Sequence, residues 1–290
     1  MTTQTTPLGR DAVQRLVLTV VAYLPLLAND MGRVAADTKA YLYLDPGRLL
    51  ARAPYMWHPE VALGTVTHQN IGYLWPVGPF FWLGEALGLP DWVTQRLWLG
   101  SVLLAAGLGM RWFLRTLGWR GSALLVSSLA YMLSPYLLNY VDRHSVILLP
   151  WAGLPWLMGL TVRALRTKGW RHAAVFGLVA LTIGGVNASS LLLVGIGPVA
   201  WLVWCGLERS ASWSRIIGTA SRIGTAFVAT GIWWMVGLAV QAQYGLPTLR
   251  LTENYKVVSD AATAPELFRG LGYWYFYGQG RLGAWIEPAT

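Results

Sequence analysis

The chain has 290 residues, 55% of them hydrophobic and 12% charged, with a formal net charge of +9. A soluble domain carries about 25% charged residues, so this composition excludes disorder and argues against a cytosolic enzyme. It fits an all-α polytopic membrane protein, in which the placement of the charges matters more than their sum.

A bilayer crossing needs about 20 apolar residues, and the sequence predicts about seven such helices. The first covers 13–28. A signal peptide cleaved after Val34-Ala35-Ala36 is the rival reading. The polar Asn29-Asp30-Met31-Gly32-Arg33 between apolar core and site favours an uncleaved helix. Next comes a long polar segment, 29–91, too polar to cross and too long for a plain connector. Within it, Pro46-Gly47-Arg48-Leu49-Leu50-Ala51-Arg52 reads as a short surface helix. The apolar stretch 75–89 is interrupted by Pro76, Gly78, Pro79, Gly84 and Glu85, and reads as a surface or re-entrant helix.

The second to fourth spans are predicted at 92–114, 122–140 and 146–164. The fifth and sixth, 172–184 and 189–207, are split by Gly184-Gly185-Val186-Asn187-Ala188, where Asn187 is expected to satisfy freed backbone groups. The seventh is predicted at 223–240. Residues 1–244 then form the membrane domain. Residues 245–290 form an aromatic-rich outer segment with the run Tyr273-Trp274-Tyr275-Phe276-Tyr277, read as a sugar-stacking platform or an interfacial belt. Trp92, Trp112, Trp119, Trp151, Trp170, Trp213, Trp233 and Trp234 fall at predicted helix ends and read as interfacial anchors.

Basic residues gather at alternate ends of the spans. Arg10 and Arg15, Arg111/Arg115/Arg120, Arg163/Arg166/Lys168/Arg171 and Arg209/Arg215/Arg222 fall on one side, with only Asp11 and Glu208 as acidic company. Positive charge marks the cytoplasmic side. This predicts a multi-pass plasma-membrane protein with a cytoplasmic N-terminus and an extracytoplasmic 29–91 loop. The charge needs no nucleic-acid partner.

Catalytic signatures for nucleotide, zinc-protease or serine-hydrolase chemistry are absent, and the one cysteine, Cys205, lies in an apolar run. What stands out is Asp37, just beyond the first span. A carboxylate at the membrane surface can act as a general base. Arg33 and Lys39 beside it suit a phosphate, or hold Asp37 ionised; a helix cap with a solvated ion pair is the structural alternative. Asp45, Glu60 and Glu85 are other outer carboxylates. Thr65, Thr67, His68, Gln69 and Asn70 supply donors suited to sugar hydroxyls. Arg143, in Asn139-Tyr140-Val141-Asp142-Arg143-His144, is a candidate phosphate partner or a partner of Asp142.

Six blocks carry a resemblance. They are Ala36-Asp37-Thr38-Lys39, Gly72-Tyr73-Leu74-Trp75-Pro76, Leu89-Pro90-Asp91-Trp92-Val93-Thr94-Gln95-Arg96-Leu97-Trp98, Leu148-Leu149-Pro150-Trp151-Ala152-Gly153-Leu154-Pro155-Trp156, Gly184-Gly185-Val186-Asn187-Ala188 and Arg269-Gly270-Leu271-Gly272-Tyr273-Trp274. In this order they are similar to the N-terminal membrane region of the actinobacterial arabinofuranosyltransferase D family, within the GT-C superfamily of membrane glycosyltransferases. The resemblance implies a GT-C-like bundle with a long first extracytoplasmic loop. It implies transfer of arabinofuranose from decaprenyl-phosphoryl-arabinofuranose to an arabinan acceptor of arabinogalactan or lipoarabinomannan, with inversion. Asp37 would be the base, and Lys39, Arg33 or Arg143 would neutralise the leaving phosphate. Family members are several times longer, so the chain is expected to be an N-terminal portion. The GT-C pattern often places a second acidic residue beside the first. Here Thr38 stands in that place, so a metal-bridged carboxylate pair is not supported, and a divalent cation stays open as a cofactor. A lipid-linked-sugar flippase and a non-catalytic scaffold are the rival classes.

Overall fold

The computed structural model describes residues 7–35, 37, 41–60, 63–66, 70–141, 145–245 and 263–269. Five of its helices are long and apolar enough to cross a membrane. These are α1 (Pro7–Ala28), α5 (Asp91–Thr116), α8 (Ser145–Arg166), α10 (Ala188–Leu207) and α11 (Trp213–Tyr244). At 1.5 Å per residue, the 26 residues of α5 span about 39 Å. The apolar stretches Ala123–Leu138 and Arg171–Gly184 are shorter, and 14 residues rise only about 21 Å against a hydrocarbon core of about 30 Å. The expected set of about seven therefore resolves into five full-length helices and two short ones.

The third predicted span is broken. Helix α6 (Ala123–Met132) stops at Leu133, and α7 (Pro135–Tyr140) starts afresh. Ser134 explains the break: its side chain accepts from the Leu137 N–H at 3.4 Å as an N-cap, and Pro135 takes the first helical position, where its missing N–H costs nothing. The last helix begins ten residues earlier than its hydropathy suggests. Ser212 caps it, its hydroxyl accepting from the Arg215 N–H at 3.4 Å, and the charged first turns continue the helix beyond its apolar length.

Helices α5 and α8 make the centre. Helix α5 packs on α1, α6 and α8; α8 packs also on α9 (Arg171–Gly184) and α10; α11 packs on α9. The α5–α8 contact is reciprocal. Gly109 of α5 lies under the Trp156 ring of α8, and Gly159 of α8 lies under the Trp112 ring of α5. A Cβ at either would strike the opposing indole, so each glycine makes the hole for the other helix's tryptophan. The two rings stack at 5.4 Å, and Trp156 Nε1 donates to the Ala105 carbonyl at 2.9 Å. Thus Trp112 is an interior residue and not the interfacial anchor its position suggested. Trp234 is also buried, and Trp151 stacks on Tyr131 at 5.0 Å. Trp119, Trp170 and Trp213 are exposed at helix ends as expected.

Helix α8 tolerates Pro150 and Pro155 inside it. Pro155 has no N–H for the Trp151 carbonyl one turn back. The Tyr131 hydroxyl fills that place, donating to the Trp151 carbonyl at 2.7 Å.

The first loop contains α2 (Tyr41–Leu44), α3 (Pro46–Arg52), the antiparallel pair β1 (Trp57–His58) and β2 (Thr65–Val66), a 3-10 turn (Ile71–Leu74) and α4 (Val77–Ala86). Asp45 caps α3, its Oδ1 accepting from the Arg48 N–H at 2.8 Å. Ten residues make α4 about 15 Å long, too short to cross, in keeping with a surface or re-entrant helix. The loop drapes over the ends of α9, α10 and α11. A Cβ on Gly72 would sit 2.1 Å from the Gly185 carbonyl oxygen, so only glycine allows the two backbones to meet. Trp75 Nε1 donates to Thr182 Oγ1 at 3.2 Å, and Ile71 packs against Gly237. Helix α12 (Ala264–Arg269) is the last described element.

Candidate active site

The bundle has two chemically different ends. At one end the basic clusters converge. The Asp11 carboxylate accepts from Arg111 and, at 3.0 Å, from Arg115. Gln14 Oε1 accepts from Arg111 Nη2 at 3.2 Å, and Gln14 Nε2 donates to the Gly121 carbonyl at 3.1 Å. Arg163 lies 4.7 Å over the Trp112 ring, Arg166 donates to the Thr116 carbonyl at 2.6 Å, and Arg215 donates to the Arg166 carbonyl at 2.8 Å. The three inner loops predicted from charge are thus joined by hydrogen bonds, and Arg115, Arg163 and Arg166 sit in the last turns of α5 and α8, where the dipole favours them.

The other end holds Asp37. Its side chain is buried, 3% exposed. The Ser145 backbone N–H donates to Asp37 Oδ1 at 2.5 Å, and the Ser145 hydroxyl donates to Oδ2 at 2.5 Å. Ser145 opens α8, so its N–H is one of the helix's unshared donors, and the carboxylate takes the positive end of the dipole. Ser145 is itself oriented: Trp98 Nε1 of α5 donates to its Oγ at 3.0 Å. The relay therefore runs from Trp98 through Ser145 to the carboxylate, leaving Asp37 purely an acceptor in this pair. Asp37 sits at a helix start 108 residues away in sequence.

The chain leading into Asp37 is held by Gln95, which is fully buried. The Ala35 N–H donates to Gln95 Oε1 at 2.8 Å, and Gln95 Nε2 donates to the Ala35 carbonyl at 2.8 Å. The side-chain amide pairs with one residue as a neighbouring strand would. Gln95 and Arg115, on the same helix, are 20 residues and about 30 Å apart, so the two ends lie a membrane's thickness from each other.

Next to this clamp is a cleft of about 340 Å³. Arg33 and Arg96 line it, with Asn29, Asp30 and the clamped Ala35. Leu26 of α1 and Leu138 of α7 form an apolar wall. Arg96 is 7% exposed, yet its Nε has no hydrogen-bond partner.

Of the residues singled out from sequence, Asp37 and Arg33 come together on one short loop, Arg33 exposed at the cleft. Asn70 is half-buried at the start of the 3-10 turn, its carbonyl accepting from the Tyr73 N–H at 2.9 Å. Lys39, His68, Gln69 and Arg143 lie outside the described residues, as does the aromatic run 273–277. Asp45 is used as a cap, Glu85 is exposed, and Glu60 pairs with Arg52 at 2.7 Å. The Arg52 guanidinium, through its hydrogen bonds and then its charge, holds the Glu60 carboxyl below the usual range. Asn187 caps α10, its Oδ1 accepting from the Ser190 N–H at 2.8 Å, as expected. Among the described residues no three His, Cys, Asp or Glu side chains gather as metal ligands would. Sequence reading missed Gln95, Arg96, Trp98 and Ser145. The first three stand together in Thr94-Gln95-Arg96-Leu97-Trp98, where an amide and a guanidinium open an apolar helix.

Comparison with known proteins agrees with this geometry. Residues 20–288 match the family model described as alpha-(1->3)-arabinofuranosyltransferase, N-terminal GT-C domain. The chain is 34% identical over 263 residues to an alpha-(1->3)-arabinofuranosyltransferase of Mycobacterium tuberculosis, covering 89% of this chain and 18% of that protein. It is 32% identical over 251 residues to the protein of the same name from Mycolicibacterium smegmatis, covering 85% of this chain and 17% of the relative. A cryo-EM structure of arabinofuranosyltransferase AftD from mycobacteria superposes with a TM-score of 0.75 at 27% identity, over 89% of this chain and 20% of that one. The chain thus spans less than a fifth of the length of these curated relatives.

Proposed function

The chain belongs to the family of alpha-(1->3)-arabinofuranosyltransferase N-terminal GT-C domains, and from that premise we propose that it carries the reacting centre of an arabinofuranosyl transfer. The donor is decaprenyl-phosphoryl-arabinofuranose, and the acceptor is an arabinan of arabinogalactan or lipoarabinomannan. The N-terminus and the basic end face the cytoplasm, and the Asp37 end faces outward.

In this reading Asp37 takes the proton from an acceptor arabinose hydroxyl. The freed oxygen attacks the anomeric carbon, a new C–O glycosidic bond forms, and the bond from that carbon to the phosphate oxygen breaks. The polyprenyl phosphate leaves with the electron pair, and the centre inverts in a single displacement. Trp98 and Ser145 fix the carboxylate, and the Gln95 clamp fixes the chain that carries it, so the base is positioned before substrate arrives. Arg33 is placed to balance charge growing on the phosphate. Lys39 and Arg143 remain candidates for the same task, and His68, Gln69 and Asn70 for the sugar hydroxyls. No step is routed through a metal.

The observation that carries this reading is a buried carboxylate held by the first turn of α8, at the end of the bundle opposite the basic clusters. Buried polar side chains of α5 also favour surface chemistry over passage. Thr94, Gln95 and Arg96 sit in its first turns and Arg111 and Thr116 in its last, leaving an apolar middle. The test is Asp37→Asn in the membrane-embedded protein, assayed with radiolabelled donor lipid and an arabinan acceptor. Loss of a general base lowers kcat by about 10²-fold or more; an Asn variant that inserts normally and still transfers arabinose at the wild-type rate ends the assignment.

A further inference from the structure

Arg96 is a buried cation that the proposed transfer step leaves unused. The residue is 7% exposed, its Nε is buried without a hydrogen-bond partner, and no ion pair joins it to the described residues. The buried arginine at the opposite end of the same helix, Arg111, has the Asp11 carboxylate and Gln14. A guanidinium removed from water without an anion is strongly unfavourable, and a guanidinium cannot shed its proton to escape. Arg96 therefore presents a largely buried cation, with donor capacity the described residues do not use, to an anion entering the cleft. Asp30 lines the same cleft but is exposed and forms no ion pair with Arg96.

The cleft also defines what else the anion carries. Arg33 supplies a second cation and Asn29 a neutral amide. Its apolar lining comes from Leu26 of the membrane helix α1 and from Leu138 and Val141 at α7. A compact anion on a hydrocarbon tail fits a site lined by two guanidinium groups and by aliphatic groups. Guanidinium matches phosphate oxygens through paired N–H donors.

We infer that Arg96 anchors the phosphate of a polyprenyl-type lipid in this cleft. The inference rests on the transferase reading for the nature of the tail, while the place for an anion comes from Arg96 itself. Arg96 holds the phosphate of the donor and, after transfer, that of the released carrier. It acts at the leaving-group side, while the Gln95 clamp beside it places Asp37 on the attacking side. Adjacent residues of α5 thus address the two partners of the displacement.

The test uses the protein in phosphatidylcholine nanodiscs, with farnesyl phosphate, farnesol and inorganic phosphate as probes. Calorimetry gives affinity, and the thermal unfolding midpoint gives stability. Farnesyl phosphate is expected to bind and to raise the midpoint. Arg96→Met is expected to weaken that binding by about tenfold or more, with Arg96→Lys in between. Without probe, Arg96→Met is expected to unfold at the wild-type temperature or above, because it removes an uncompensated charge. A merely structural arginine gives the opposite sign, and that result overturns the proposal. Unchanged farnesyl phosphate affinity in Arg96→Met overturns it too, as does farnesol binding as tightly as its phosphate. Inorganic phosphate binding as tightly as farnesyl phosphate rejects the lipid and leaves a free-phosphate site. Asp37→Asn is expected to bind farnesyl phosphate normally. If that variant still transfers arabinose while Arg96→Met loses binding, the base assignment falls and the phosphate site stands. If Asp37→Asn is inactive while Arg96→Met binds normally, the reverse holds.

Discussion

The two ends of α5 handle buried charge in opposite ways. At the basic end Arg111 is buried against Asp11 and Gln14, and each long side chain finds a partner on another helix. At the other end Asp37 accepts from the backbone and the hydroxyl of Ser145, which Trp98 orients, and Arg96 has no counter-ion among the described residues. Charge compensated inside the protein serves the fold. Arg96, with no counter-ion among the described residues, is left to answer to a ligand that comes and goes.

The largest stability effect expected from this contrast is at the compensated end. Asp11→Asn leaves Arg111 buried without its anion and is expected to lower unfolding stability by about 3 kcal/mol in detergent; a loss under about 1 kcal/mol breaks the contrast. Ser145→Ala sharpens it at the other end. The variant keeps the backbone donor to Asp37 but removes the hydroxyl and leaves Trp98 Nε1 without its acceptor. It is expected to cost about 1–3 kcal/mol of stability, and arabinose transfer falls through kcat with KM for donor lipid unchanged. Tyr131→Phe, midway along the bundle, removes the donor to the Trp151 carbonyl that Pro155 cannot serve. About 1 kcal/mol is expected, read from urea unfolding, with donor affinity untouched.

The smallest effect lies outside the bundle. Glu60 and Arg52 form an exposed pair, and Glu60 is held below its ordinary value of 4.5. A carboxyl lowered on folding adds stability above its unfolded value, and that share is lost as pH falls through the folded value. Glu60→Gln is therefore expected to shift the melting midpoint by no more than about a degree at pH 7. The gap from wild type closes as the pH is taken below about 4.

How much of this was legible in the sequence follows from the range of each interaction. Helix α3 was read at its observed limits, because Asp45 and Pro46 write the start of a helix locally. Asp37 stood out because a carboxylate just beyond an apolar span is rare by composition alone. The basic end was legible because a helix terminus and its cations are neighbours in the chain. The grip on Asp37 was not: Ser145 is 108 residues away, and the residue that clamps Ala35 is 60 residues away. Nothing in Gln95 or Ser145 read alone tells a partner from a plain helix residue. The seventh span was read short because hydropathy ends at Arg222, whereas a helix cap and backbone hydrogen bonds do not depend on apolarity. Trp112 and Trp151 were taken for a belt because tryptophans at both a bilayer surface and a helix seam stand near helix ends. Only the partners facing them, Gly159 for Trp112 and Tyr131 for Trp151, tell seam from surface, and those face across helices.

The amide clasp between Gln95 and Ala35 has a consequence for how the protein meets its surroundings. Dissolved ions weaken attractions between full charges, and they hardly touch a pair of neutral dipoles. The Gln95–Ala35 fastening of the strip that presents Asp37 is therefore indifferent to ionic strength, so on the proposed reading a response of turnover to added salt reports on the arrival of the anionic lipid and not on loosening of this clasp.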